Sequence, residues 1–233
     1  MNQFHEHRML LSQVNEVNRV EFYKKTYAHV AGGVLVFVFF EYLLLQSETV
    51  VNFMLSMLSG YTWLLVLLAF MFITSYAERM AVKSADRNMQ YLAFGLYILA
   101  EAVIFIPIIY IAMSMVDGLQ ILNQAAIVTL SLFTGLSAVV FVTKKDFSFL
   151  RTGLVVGFFI ALGLIVAGTI FGFDLGLWFS VGMCVLAGGS ILYQTSSLVN
   201  KYYEDQYVAA ALGLFASLML LFWYILRIFL SRR

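Results

Sequence analysis

The chain has 233 residues, 62% of them hydrophobic and only 12% charged, with a net charge of +1. A soluble domain carries about 25% charged residues, so this composition cannot clothe a water-facing exterior and identifies an integral membrane protein. It offers no basic stripe for nucleic acid. The single cysteine, Cys184, excludes an intramolecular disulfide and a thiolate metal cluster.

Residues 1–26 mix acids with bases and have no early apolar core, so they do not read as a signal peptide. They are expected to form a cytoplasmic arm, part of it helical, ahead of a single transmembrane domain over 27–233. His5, Glu6 and His7 are too few and too close to the end of the arm to hold a metal. Nothing else along the chain implies a cofactor.

Seven stretches reach the roughly 20 apolar residues that a helix needs to cross a bilayer. They lie near 28–46, 57–77, 91–115, 121–142, 152–172, 175–198 and 207–230. None alternates in the manner of a barrel strand, and the loops leave no room for a separate soluble domain. The expected class is all-α, a polytopic bundle of seven transmembrane helices. Lys and Arg set its orientation. Arg8, Arg19, Lys24 and Lys25 in the arm, Arg79, Lys83 and Arg87, then Lys144, Lys145 and Arg151, then Lys201 share one side if the N-terminus is cytoplasmic. The opposite loops carry Glu48, Asp117 and Asp174 instead. Seven full spans leave Arg227, Arg232 and Arg233 on that acidic side, a local breach of the rule.

Few ionisable groups fall within the spans. Glu41 is expected near the headgroups. Arg79 either snorkels to phosphates or turns toward a polar pocket. Glu101 lies ten residues beyond Tyr91, roughly 15 Å deep by helical rise, near the midplane. It either faces a polar cavity or is a neutral acid bonded to another helix. Pro107, two turns on, frees a backbone carbonyl. Gly153, Gly157, Gly163, Ala167, Gly182, Gly188 and Gly189 are spaced for close helix packing. No span interior holds an aspartate pair and no H-E-x-x-H helix exists, so catalysis is not indicated. In the sixth span, "ILYQTSSL" places Gln194, Thr195, Ser196 and Ser197 in one polar block.

One loop is specific. "TKKDFSFLRTGL", residues 143–154, contains Lys144, Lys145, Asp146, Phe147, Ser148, Phe149 and Leu150. It resembles the K-x-D-F-S-F-L-x-x-x-L signature of the Bax inhibitor-1 family, also called the transmembrane Bax inhibitor motif family. Arg79, Pro107, the L-Y-x-T of the sixth span and the A-L-x-L-F of the seventh agree in order, so the resemblance runs from about residue 25 onward. It implies six helices around a central seventh. Some members leak calcium, and in those an aspartate of the sixth span and one of the seventh share a proton and, with a second-span arginine, control opening by pH. Arg79 matches the arginine, but the acids fall on Gln194 and Ser217, neither of which titrates. The pH latch is therefore expected to be missing. The "YQTSSL" block with Ser217 resembles the bacterial branch of modulators of the membrane-anchored AAA protease FtsH. That resemblance implies an interaction protein of a bacterial inner membrane, partnered by a membrane protease complex. The alternative is a calcium or other cation leak using Arg79, Glu101, Gln194, Thr195 and Ser217 as its polar path.

Overall fold

A computed structural model describes residues 9–58 and 60–231, and seven of its helices are long and apolar enough to cross a bilayer. They are α1 (Glu16–Leu45), α3 (Tyr61–Lys83), α4 (Arg87–Met113), α5 (Gly118–Thr143), α6 (Leu150–Phe171), α7 (Gly176–Lys201) and α8 (Tyr207–Ser231). The eighth, α2 (Glu48–Ser56), is short. Among the described residues the extended structure amounts to one isolated bridge, Leu10 to Tyr203. His5, Glu6, His7, Arg8, Arg232 and Arg233 lie outside the described residues.

α1 starts earlier than the hydropathy alone indicates. The Asn15 side chain accepts the Asn18 N–H at 2.9 Å, a standard N-cap, so residues 16–26 form the first turns of the spanning helix. The segment before it is docked. Leu11 is buried and its N–H donates to the Tyr202 carbonyl at 3.0 Å, while Glu204 N–H donates to the Met9 carbonyl at 3.3 Å. Gln206 joins this end to α3: its Nε2 donates to the Val82 carbonyl at 2.7 Å and its Oε1 accepts the Tyr203 N–H at 3.1 Å. We call this the basic end, because it carries the Lys and Arg of residues 19–25, 79–87, 144–151 and 201. The loops around Glu48, Asp117 and Asp174 form the acidic end.

α2 occupies what the sequence reading leaves as a loop. Its Val51 and Met54 pack on Leu44, Leu45 and Ile106. The last turn of α1 is thus covered, and Glu41 is buried instead of meeting headgroups, with no hydrogen-bond partner for either carboxyl oxygen. α4 continues unbroken through Pro107.

α8 packs against α1, α3, α4, α5 and α7, and every residue from Tyr207 to Phe215 is buried. Phe94 and Tyr97 of α4 meet Phe215 edge-on, with ring centroids 5.6 and 6.3 Å away. Lipid tails are as apolar as these side chains, so the packing is held by close van der Waals fit and by paired polar groups. Gly33 serves that fit, since a Cβ there would sit 2.6 Å from Phe94 and 3.3 Å from Phe215. In contrast, α6 is largely exposed and packs mainly on α7. Its glycines divide accordingly. Gly157 lies against Leu186, and Gly188 and Gly189 of α7 lie against Leu136 and Leu154, whereas Gly153, Gly163 and Gly182 have open space around them.

Gly118 offers a direct check of this packing. A methyl group there would collide with the backbone of Ala112 and Met113, whereas one at Gly135 would meet nothing within 4 Å. Gly118→Ala is expected to lower unfolding stability in detergent by about 1–3 kcal/mol. Gly135→Ala is expected to be neutral or slightly stabilising, as read by thermal unfolding of the two variants side by side.

Candidate functional site

A large, partly open cavity of about 700 Å³ lies among α3, α4, α6, α7 and α8. Helix spacing decides which side chains reach it. On α3, Trp63, Leu67, Phe70, Thr74 and Glu78 recur at three- and four-residue steps and form one wall. On α6, Phe158, Leu162, Ile165 and Thr169 form the facing wall. Tyr97 and Glu101 of α4, Ser190 and Gln194 of α7, and Gly213 and Ser217 of α8 line the rest of its polar part. Tyr97 lies one helical turn before Glu101, and both side chains line the cavity.

Of the residues singled out from sequence, the cavity brings together Glu101, Gln194 and Ser217. It does not include Arg79, which is exposed on α3, outside the lining; its neighbour Glu78 lines the cavity instead. Nor does it include Thr195, whose Oγ1 lies 3.3 Å from the Tyr27 hydroxyl of α1. Ser196 turns a third way: it accepts the Phe147 N–H at 3.2 Å and donates to the Tyr193 carbonyl at 3.1 Å. The polar block of α7 therefore serves several neighbours, because consecutive helical residues point about 100° apart.

At Ser217 the contact between α7 and α8 is uncharged. Ser217 Oγ donates to the Gly213 carbonyl at 3.1 Å and lies 2.8 Å from Ser190 Oγ. With its own proton committed, Ser217 accepts and Ser190 donates. Ser217 thus pairs with Ser190, one turn before Gln194. The Gln194 carboxamide rests on Gly213, where an added Cβ would lie 3.2 Å from its Cδ, Nε2 and Oε1. Glu78, Gln194 and Gly213 also line a small pocket of about 40 Å³ reaching Lys201 and Tyr202 at the basic end. Gln194 hence stands between the large cavity and that end.

The loop between α5 and α6 is a built turn. Lys144 ends α5 in the left-handed region at φ 51°, its N–H bonded to the Val140 carbonyl at 2.9 Å. Asp146 then accepts the Ser148 N–H at 2.8 Å and the Ser148 hydroxyl, and α6 starts at Leu150. These bonds favour the ionised acid and hold the Asp146 carboxyl below its ordinary value. With Phe147 anchored on Ser196, the motif fixes where α6 starts relative to α7.

Two outcomes follow. A double-mutant cycle with Ser190→Ala and Ser217→Ala should give a coupling of about 0.6 kcal/mol, ordinary for a bond between membrane helices, by unfolding in detergent. Because the folded-state value of Asp146 is lowered, its contribution is complete above the ordinary aspartate range and is lost as the pH falls through the folded value. Amide exchange at Ser148 should accelerate over that acid window, beyond the intrinsic rate, and Asp146→Asn should abolish the dependence.

Comparison with known proteins places this architecture. Residues 19–233 match the family described as "Inhibitor of apoptosis-promoting Bax1". An uncharacterized protein of Pseudomonas aeruginosa is 35% identical over 124 residues, 53% of this chain and 55% of the relative. An uncharacterized membrane protein of Vibrio cholerae is 30% identical over 123 residues, 52% of this chain and 55% of the relative. Protein lifeguard 4 of Mus musculus is 32% identical over 108 residues, 45% of this chain and 44% of the relative. The matched part of the chain spans about half the length of these relatives. With the family match running across seven apolar helices and the signature turn at residues 144–150, the chain belongs to the Bax inhibitor-1 family of membrane proteins.

Proposed function

We propose that this membrane protein is a cation-permeation protein in a closed state, with the polar part of the large cavity as the ion-accessible part of its path. The observation that carries the reading is the meeting of Glu78, Glu101, Gln194 and Ser217 in one cavity. Ionisable groups inside a bilayer are costly, and they mark ion pathways when they face a shared cavity. Gln194, seated on Gly213, is the closing element in this reading, since it lines both the large cavity and the small pocket that reaches Lys201 and Tyr202. The excess of Lys and Arg at that end supports a cytoplasmic basic end and N-terminus, and the Pseudomonas and Vibrio relatives support a bacterial inner membrane.

A second reading is favoured by the α7–α8 contact. Ser190 and Ser217 form a neutral pair that protons do not switch, which suits a non-conducting partner of a membrane-anchored AAA protease. Flux in sealed vesicles separates the two. Purified protein in vesicles loaded with a calcium-sensitive dye should leak slowly. Gln194→Ala should raise the rate about tenfold, the effect of removing one closing contact of about 1.4 kcal/mol. Glu101→Gln should reduce it. No flux from the parent or from Gln194→Ala, together with co-purification of an AAA protease, would replace the first reading with the second.

A further inference from the structure

The large cavity is divided along its length. Arg227 lies at its acidic end and Ser217 ten residues deeper on α8, about 15 Å by helical rise. That depth equals one leaflet, half of a hydrocarbon core about 30 Å thick. Over this stretch the lining is mainly apolar, with Trp63, Leu67, Leu162, Ile165, Leu220 and Trp223, and the Thr169 hydroxyl on this wall is spent on the Ile165 carbonyl at 2.9 Å. Below the Arg227 and Asp174 mouth, the cluster of Glu101, Ser217 and Gln194 lies from the midplane toward the basic end.

We propose that the apolar half binds one phospholipid from the leaflet at the acidic end. One acyl chain lies in the cleft between α3 and α6, the headgroup phosphate on Arg227 and the headgroup ammonium on Asp174. This does not rest on ion conduction and stands whether or not cations pass below it.

Three independent features carry it. First, α6 packs chiefly on α7 and touches α3 only sparsely, so the cleft between α3 and α6 faces the acyl chains around the bundle. An apolar space of this kind stays dry, and its walls lose their dispersion contacts unless a hydrocarbon fills it. Second, Arg227 is the one Lys or Arg at the acidic end among the described residues, and it stands at the mouth of this cleft. Its guanidinium is held 6.0 Å from the centre of the Phe179 ring. Third, Asp174 stands beside it with its Oδ1 3.6 Å from an Arg227 nitrogen, and that carboxylate is fixed by the Gly176 N–H at 3.1 Å. The Asp174 side chain is 84% exposed and the Arg227 side chain 36%, so the pair is loose and weak by itself. It presents a guanidinium fork that suits a phosphate next to a carboxylate that suits an ammonium. A headgroup with both charges matches the two residues; one that is only anionic meets Asp174 as a like charge.

Native mass spectrometry of the full chain, released from mixed vesicles of phosphatidylethanolamine and phosphatidylglycerol, tests it. The parent should retain one phosphatidylethanolamine, in several-fold preference to phosphatidylglycerol. Arg227→Gln should lower retention of both lipids about tenfold through loss of the charge-assisted phosphate contact. Asp174→Asn should keep lipid bound and erase the preference between the two. Leu220→Trp, filling the cleft, should lower retention while leaving the headgroup pair intact. Unchanged retention in Arg227→Gln, an unchanged preference in Asp174→Asn, or a parent that carries no lipid would overturn the proposal. Calcium flux plays no part in this readout, so its failure and that of the permeation reading remain separable.

Discussion

Within hydrocarbon a polar side chain has no water to turn to, and its partner must come from another part of the protein. That constraint shapes the junction of α7 and α8. Ser217 returns its proton to Gly213 of its own helix and accepts from Ser190 across the interface. Gly213 meanwhile lacks the Cβ that would press on the Gln194 carboxamide. The same constraint sends Thr195 to Tyr27 and Ser196 to the Phe147 N–H. Consecutive residues of one helix thereby tie α7 to α8, to α1 and to the turn before α6. A polar block that looks like a single site in the linear chain is a junction of several interfaces.

Glu101 meets the constraint differently. Its neighbour is Tyr97 on the same helix, and both line the cavity, Tyr97 with its ring also edge-on to Phe215 of α8. The cavity exists because α6 leans on α7 and leaves α3 largely unpartnered on that side. Its two halves then differ for a simple reason. The helices that line it bring bulky Trp, Leu and Ile to the stretch near the acidic end and small or polar residues to the stretch below.

Much of this was legible in advance. The seven spans follow from apolar length alone, and their ends agree with the helices within a few residues except for α1, where the Asn15 cap carries the helix back into the polar arm. α2 was missed because nine residues with two buried positions leave little periodic signal. Glu101 was read from its depth as facing either a polar cavity or another helix, and Gln194 stood out through its polar block and the family resemblance; both line the cavity. Arg79 and Glu78 are adjacent in sequence but differ in facing by about 100°, and periodicity in a helix apolar on nearly every side cannot say which faces inward. Ser190 went unnoticed because a lone serine among glycines looks like packing. Arg227 registered only as a violation of the charge rule. Its meaning depends on Asp174, more than fifty residues earlier, and no local pattern joins them.

The bridge from Leu10 to Tyr203 has a consequence for how the molecule is assembled. The two residues are nearly the whole chain apart, and closing so long a loop costs entropy that grows with its length. The segment around Leu10 is made long before its partner and must therefore wait, unpaired, until the hairpin joining α7 and α8 arrives. Leu11 then enters its buried place beside Tyr202. This clasp forms only on a bundle whose α7–α8 hairpin is already in place, so a chain arrested before that hairpin leaves Leu11 uncovered.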